Sequence, residues 1–489
     1  MTLPLGFVVA LDRDTRVLDG NRALLGGFPV RLLRLTERAR TLLDGRTGEV
    51  RDPASAVLLD RLLEAGMAHP VVDALPLPSD PRCTFVIPVR DRASALDRLL
   101  TSIGADSPVI VVDDASRRRP PVEAVAARHG ARFVALDVNV GPAGARNAGL
   151  RLVTTPYVVF VDSDVVLPPA TIPTLLRHFA DPRVAMAVPR ITGLTTPSSS
   201  SWIGRYETAR SSLDLGTRPA QVRPGTPVSW ASTACVVART DALRGGFDEC
   251  MRVGEDVDLG WRVIKSGWRM RYEPSVHAAH EHRVRFGDWL LRKAVYGTGA
   301  QPLAERHPEF IAPAVLTPWS TALVLALLAQ RRWSVPVAGM VCGMTALRIA
   351  RKLNRTEHPV RLASSLTAMG ALGALTQTSA LLTRHWWPLT ALGCTVSRRA
   401  RRAALLAAVT DVALEYRRDG TDLGPVGYGI ARRLDDLAYG AGVWWSALKG
   451  RSTAALRPRL SVGGRVSGVH GGAVGRTREV GRGSLASDR

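Results

Sequence analysis

Four apolar runs, near residues 84–89, 108–112, 132–136 and 157–161, alternate with stretches of helical spacing near 94–103, 120–129 and 143–153. Strands buried on both faces read as continuous apolar runs, and their alternation with helices is βα repetition. This part of the chain is therefore expected to form a doubly wound α/β layer with ligands at the carboxyl ends of its strands. Two of those ends are acidic. Val109-Ile110-Val111-Val112 runs into Asp113-Asp114, and Tyr157-Val158-Val159-Phe160-Val161 runs into Asp162-Ser163-Asp164. Gly254-Glu255-Asp256 is a third acidic point, beside the apolar-aromatic stretch Val257–Trp268, and Arg146-Asn147 lies between the first two.

Carboxylates at i and i+2 on a turn past a buried strand can hold a divalent cation. Mg²⁺ and Mn²⁺ want hard oxygen ligands and share them with substrate phosphates. A carboxylate such as Asp113 or Asp114 accepts hydrogen bonds and suits a base N–H or a ribose hydroxyl. Val140-Gly141-Pro142-Ala143-Gly144-Ala145-Arg146-Asn147 opens a helix whose N-terminus suits an anion. Arg146 can pair with phosphate or with the Asp cluster.

These elements, in this order, resemble a family 2 glycosyltransferase with the GT-A fold over about 83–285. The resemblance implies that Pro88, Val89, Arg90, Asp113, Asp114, Arg146 and Asp162 bind the nucleotide-sugar donor. It implies an Mn²⁺ or Mg²⁺ ion on Asp164, Asp162 and a downstream histidine. His277, His280 and His282 alternate and would share one strand face, with His282 favoured and His280 next. It places Trp230, Ser232 and Trp261 at the acceptor and makes the transfer inverting, with Asp256 taking the acceptor proton and Glu255 beside it. The Gln-x-x-Arg-Trp signature of processive synthases is absent, and where most members carry an aromatic residue and Asn after strand one this chain has Arg90-Asp91.

The chain has 489 residues and a formal charge of +22, yet only Lys265, Lys293, Lys352 and Lys449 are lysines. Coding bias toward arginine and an acidic nucleotide substrate both account for that charge. No aromatic-interleaved basic motif for nucleic acid appears. The five cysteines show no metal-like spacing, which suits free thiols in a reducing compartment. No signal-peptide pattern is read at the N-terminus.

The chain is expected to divide into a module over 1–75, a linker over 76–82, the GT-A domain over 83–300, a helical region over 301–450 and a disordered tail over 451–489. In the module, Phe7–Ala10 and Thr15–Leu18 suggest a hairpin, and Thr36 suggests a helix cap. The module resembles winged-helix-like domains that take a peptide as an added edge strand; a structural cap is the alternative. Apolar stretches at 312–329 and 333–350 are short for spanning, a third at 362–382 is weaker, with many Ala, Gly, Ser and Thr, and Arg331-Arg332 argues against a spanning hairpin. A peripheral or re-entrant seat on the cytoplasmic face of the cell membrane and a buried helical domain are the two readings.

Module, GT-A domain and helical tail, with Tyr439-Gly440-Ala441-Gly442-Val443-Trp444-Trp445, together resemble the glycosyltransferases of mycofactocin systems. That resemblance implies glucose moved from UDP-glucose onto a peptide-derived redox cofactor, building a β-linked oligoglucosyl chain, with a precursor peptide as a further partner of the module. A cell-envelope rhamnosyl- or galactofuranosyltransferase with a lipid-linked acceptor is the runner-up. A peptide-binding scaffold with an inactive transferase domain is the alternative of another class.

Overall fold

The structure, a computed structural model, describes residues 2–43 and 45–461. The N-terminal module comprises β1 (Val8–Leu11), β2 (Arg16–Leu18), β3 (Ala23–Gly26), β4 (Arg31–Arg34), α1 (Glu37–Thr41), β5 (Thr47–Glu49), α2 (Pro53–Ala65) and β6 (Ala68–Pro70). Thr36 caps α1 through the Ala39 N–H, and Asp52 and Ser55 form a reciprocal cap on α2. The expected hairpin is not there. β1 pairs with β5 on one side and β6 on the other, while β2 pairs with β3. The turn after Leu11 sends the chain to a second small sheet, β2-β3-β4. Both edges of β1 are thus taken, and of residues 5–18 only β2 lies at a sheet edge.

The large α/β layer begins with β7 (Cys83–Val89), α3 (Ala93–Ile103), β8 (Val109–Asp113), α4 (Arg119–Arg128), β9 (Arg132–Ala135), α5 (Gly141–Leu150) and β10 (Tyr157–Val161). It continues through β11 (Val165–Val166), α6 (Thr171–Arg177), β12 (Val184–Gly193), α7 (Trp202–Ala209), β13 (Ala220–Gln221), β14 (Cys235–Arg239), α8 (Glu255–Lys265) and β15 (Arg269–His280). Strand order is β11-β15-β12-β14-β10-β7-β8-β9, with β13 on β15. β10, β7, β8 and β9 are parallel; β14 runs against both β10 and β12. Alternation along each strand divides the core. Phe85, Ile87, Val111 and Val159 face one layer, and Val86, Val112, Val158 and Phe160 face the other. On that second side α5 sits close because Gly149 has no side chain; a Cβ there would lie 2.3 Å from Val86.

The helical region holds α9 (Phe286–Thr298), α10 (Ala300–Arg306), β16 (Val315–Leu316), α11 (Pro318–Leu328), α12 (Ser334–Lys352) and α13 (Pro359–Ala380). After a π-helical turn at Leu381–His385 come α14 (Trp387–Val396), α15 (Arg398–Asp419) and α16 (Pro425–Lys449). No helix among the described residues is long and apolar enough to cross a membrane. The helices are nonetheless thinly covered: α12 buries Ser334 and Ala338, α15 buries Ala407, and α14 buries none. Trp386 donates Nε1 to the Leu456 carbonyl and Trp444 to that of His385, so both are held inside, while Trp445 is exposed. Of the tail expected to be disordered, residues 451–461 carry a 3-10 turn, Ala454–Leu456, and β17 (Arg459–Leu460), which pairs with β16. Residues 462–489 lie outside the described residues.

Candidate active site

The carboxyl ends of β7, β8 and β10 open on one cavity, and Pro88, Val89, Arg90, Asp114, Asp162 and Asp164 line it. Asp114 is fully engaged. It accepts from Asn139 Nδ2 at 2.6 Å and from the backbone N–H groups of Val140 and Gly141 at 2.7 and 3.0 Å. It therefore shapes the glycine-rich turn that precedes α5. Asp113 is buried; its Oδ2 faces Arg119 at 3.4 Å, and its Oδ1 has no partner.

Arg146 was expected to pair with the donor's phosphate or with the Asp cluster. Its guanidinium bridges two carboxylates: Nη2 donates to Asp162 at 2.7 Å and Nη1 to Glu255 at 2.9 Å. Burial opposes the charge of Arg146, and Asp162 and Glu255 overcome it. The neighbouring Asn147 donates to the Phe247 carbonyl and to Glu249 and accepts from the Phe247 N–H. This clamp holds the Gly245-Gly246-Phe247-Asp248 turn against α5, a role the sequence reading did not give it.

Asp164 lies beside Arg92 and His280. Arg92 pairs with Oδ2, and His280 Nε2 stands 3.5 Å from Oδ1. Burial pushes the Asp164 carboxyl up, but His280 and Arg92 outweigh it and hold the group below the usual range. The histidine brought to Asp164 is His280, not the favoured His282. His282 is turned toward Gly193, its Nε2 buried without a partner, and burial together with His280 pushes it down to about 4. The alternation explains the difference: β15 ends at His280, and the chain leaves the strand before His282. His277 is exposed. Asp164 and Asp162 offer the carboxylate oxygens that Mn²⁺ and Mg²⁺ favour, and His280 stands beside Asp164. No group of three or more metal-capable side chains occurs among the described residues, so the side chains alone would not complete a sphere and the donor's phosphates would have to.

On the far wall, Gly254 takes a left-handed conformation, φ 83°, and starts α8. Glu255 and Asp256 occupy its first turn. Burial raises Glu255 to about 7, with Asp256 adding to the rise and Arg146 opposing it. Burial raises Asp256 as well, Arg146 again opposing. Glu255 is thereby placed to hold a proton near neutrality. Asp258 is not available for that work: it is bound by His307 Nε2 at 2.9 Å and by Arg262 Nε at 2.7 Å. Trp230 and Ser232 line the cavity. Trp261 is mostly buried, packs against His307 and Phe310 and donates Nε1 to the Ser229 carbonyl, so it carries the Ser229–Ser232 loop. Arg92, Arg283 and Arg292 also line the cavity beside Asp164. The sequence reading missed them, because single arginines in an arginine-rich chain carry no spacing signal.

The family model described as glycosyl transferase family 2 matches residues 84–243. A pre-mycofactocin glycosyltransferase of Mycobacterium tuberculosis is 43% identical over 471 residues, covering 94% of this chain and 98% of that protein. An N-acetylglucosaminyl-diphospho-decaprenol L-rhamnosyltransferase of the same organism is 34% identical over 128 residues, 25% of this chain and 34% of that one. Among solved structures, a mannosyltransferase from Pyrobaculum calidifontis in complex with GDP-Man and Mn²⁺ aligns with a TM-score of 0.36 and 20% identity, over 61% of this chain and 88% of that one.

Proposed function

The chain belongs to the family 2 glycosyltransferases of mycofactocin biosynthesis, and from that premise we propose that it moves glucose from UDP-glucose, with inversion, onto a peptide-derived redox cofactor precursor. Repeated transfer would build a β-linked oligoglucosyl chain. The observation that carries the reading is the Asp162–Arg146–Glu255 bridge, which sets a donor-side carboxylate pair and an acceptor-side pair across one cavity.

In this reading the β7 and β8 ends hold the nucleotide. Asp164 and His280, with Asp162, would hold a divalent ion, which would supply charge neutralisation for the departing diphosphate. Arg92 leaves Asp164 for the diphosphate when the donor enters. Asp256 draws the proton from the acceptor hydroxyl, and Glu255, tied by Arg146, fixes where α8 begins. The Ser229–Ser232 loop holds the acceptor.

The whole-length match to a mycofactocin-type relative favours this acceptor over a lipid-linked one, since the decaprenol-acting relative matches a quarter of the chain. A peripheral membrane seat is supported by the apolar side chains left exposed on α12, α14 and α15, among them Val335, Leu392, Val396, Leu405 and Val409. A peptide at the N-terminal module would have to use β2 or the outer edges of β4, β5 or β6. Mass spectrometry of reactions pairing UDP-glucose, UDP-galactose, GDP-mannose and dTDP-rhamnose with the peptide-derived acceptor tests the assignment. A ladder of one anhydrohexose per step, the mass gained when a sugar is joined with loss of UDP, is expected from UDP-glucose alone. Transfer from another donor only, or to a polyprenyl acceptor only, would overturn it.

A further inference from the structure

The cavity is larger than a nucleotide-sugar requires. It measures ≈ 1810 Å³, against roughly 300–1,000 Å³ for a small-molecule site. Beyond the donor and base it extends along the helical region, where Arg210, Arg384, His385, Asp435 and Tyr439 form its wall. Arg384 and His385 come from the π-helical turn at Leu381–His385, a form found mostly as single turns at functional sites. The turn lies close to α16 because residue 440 is glycine: a Cβ there would sit 2.0 Å from the Arg384 carbonyl oxygen. Gly442 does the same against α9, where a Cβ would sit 1.8 Å from the Ala294 carbonyl oxygen. The Tyr439–Gly442 segment thus fixes this wall relative to α9, which carries Val295 and Tyr296 into the same cavity.

The charges of this lobe are paired. Arg384 meets Asp436 at 2.9 Å, Arg432 meets Asp411 at 3.1 Å, Lys293 meets Glu207 at 2.8 Å and Arg210 meets Glu415 at 2.5 Å. Among the five residues named on this wall, two polar atoms are buried without a partner: Nδ1 of His385 and Oδ1 of Asp435, a residue only 4% exposed. Burial, and Arg384 beside it, push His385 down to about 3, so its imidazole is neutral. Buried polar atoms of this kind require partners. An anion would meet the Asp435 carboxylate, and a cation would meet the arginines already in place. Hydroxyl groups, which donate to a carboxylate and either donate to or accept from a neutral imidazole, match both atoms.

We propose that this lobe is an acceptor subsite for an uncharged, polyhydroxylated segment, a saccharide already attached to the acceptor, so that the product of one transfer is held as the substrate of the next. The inference rests on the transferase reading above. In that next transfer the terminal hydroxyl oxygen of the held saccharide bonds to the donor's anomeric carbon. The bond from that carbon to the diphosphate oxygen breaks, the hydroxyl proton passes to Asp256, and UDP departs.

The test is calorimetric titration of the full-length protein with cellotetraose, maltotetraose and inorganic sulfate, and in parallel with UDP and Mn²⁺. Cellotetraose is expected to bind the wild type, at least tenfold more weakly to His385→Ala and to Asp435→Asn, with the affinity for UDP kept. The proposal is overturned if no tetrasaccharide binds the wild type, if both variants bind it as the wild type does, or if sulfate competes for the lobe. Maltotetraose binding in place of cellotetraose would keep the subsite and contradict the β-linkage. Should His385→Ala fail to fold, the near-isosteric Asp435→Asn decides alone. Tetrasaccharide binding without UDP binding would overturn the donor reading and leave the subsite standing.

Discussion

Arg146 donates to Glu255 at 2.9 Å from the middle of α5, so the helix that follows the glycine-rich turn is tied by a buried charge to the helix that carries the acceptor-side carboxylates. Its other amine holds Asp162. Removing it leaves two carboxylates facing each other in a poorly solvated place. Arg146→Ala is expected to lower stability by about 3–5 kcal/mol, the usual result of breaking one side of a buried pair. Adding Glu255→Gln to that variant should recover part of the loss. Urea unfolding of the single and double variants checks this; strictly additive losses would contradict the bridge.

Turnover is expected to depend on a divalent ion. EDTA should abolish transfer, and Mn²⁺ or Mg²⁺ should restore it. Asp164→Asn and His280→Ala should each raise the Mn²⁺ concentration for half-maximal activity by on the order of tenfold or more, while His282→Ala should not. Full activity in chelator would contradict the ion, and a larger effect at His282 than at His280 would contradict the placement.

Glu255 sits near 7 in the folded protein because of burial and Asp256. Below that pH it takes a proton, the pull between Glu255 and Arg146 weakens, and the neighbouring Asp256 shares the titration. The rate of transfer is expected to fall as pH drops from 8 to 6, and Glu255→Gln should move that limb to lower pH. The stability term has a definite sign. A carboxyl raised on folding binds its proton more tightly in the folded state, so its contribution is present below the ordinary glutamate range and is lost as pH rises toward 7. A flat rate profile between pH 6 and 8 would contradict the account.

The apolar faces of α12, α14 and α15 are expected to seat the protein on membranes. Flotation with vesicles containing anionic lipid should carry the wild type upward. Replacing Leu405, Val409 and Val396 by Glu should leave the protein at the bottom with its transferase activity intact. Equal flotation of both, or of neither, would contradict a membrane seat through these helices.

The parallel half of the catalytic sheet was legible because strands buried on both faces are uninterrupted apolar runs, as at Tyr157–Val161. The other half was not. β12 and β15 are long, mixed in composition and paired in parallel, and β14 runs antiparallel between β12 and β10, an arrangement that only long-range pairing defines. In the site, residue types at strand ends could be read, but their partners could not. Asp114 lines the cavity as expected, but its bonds to Asn139, Val140 and Gly141 could not be read; nor could those of Asp258 to His307 and Arg262. Whether a carboxylate is free depends on what folds back onto it, and Asn139, Arg146 and His307 all arrive from segments distant in sequence or on another element. The expected hairpin at 7–18 failed for the same reason, since β1 finds its partners at residues 47–49 and 68–70.

The central claim is that Asp256 draws the acceptor's proton in a displacement at the donor's anomeric carbon. The most direct measurement is the single-turnover rate of Asp256→Asn, with UDP-glucose affinity determined on the same preparation. The amide keeps the shape of the side chain and removes the base. The expected result is unchanged donor affinity with a rate lower by on the order of 100-fold or more. A near-normal rate in Asp256→Asn would contradict the account and move the base to another residue.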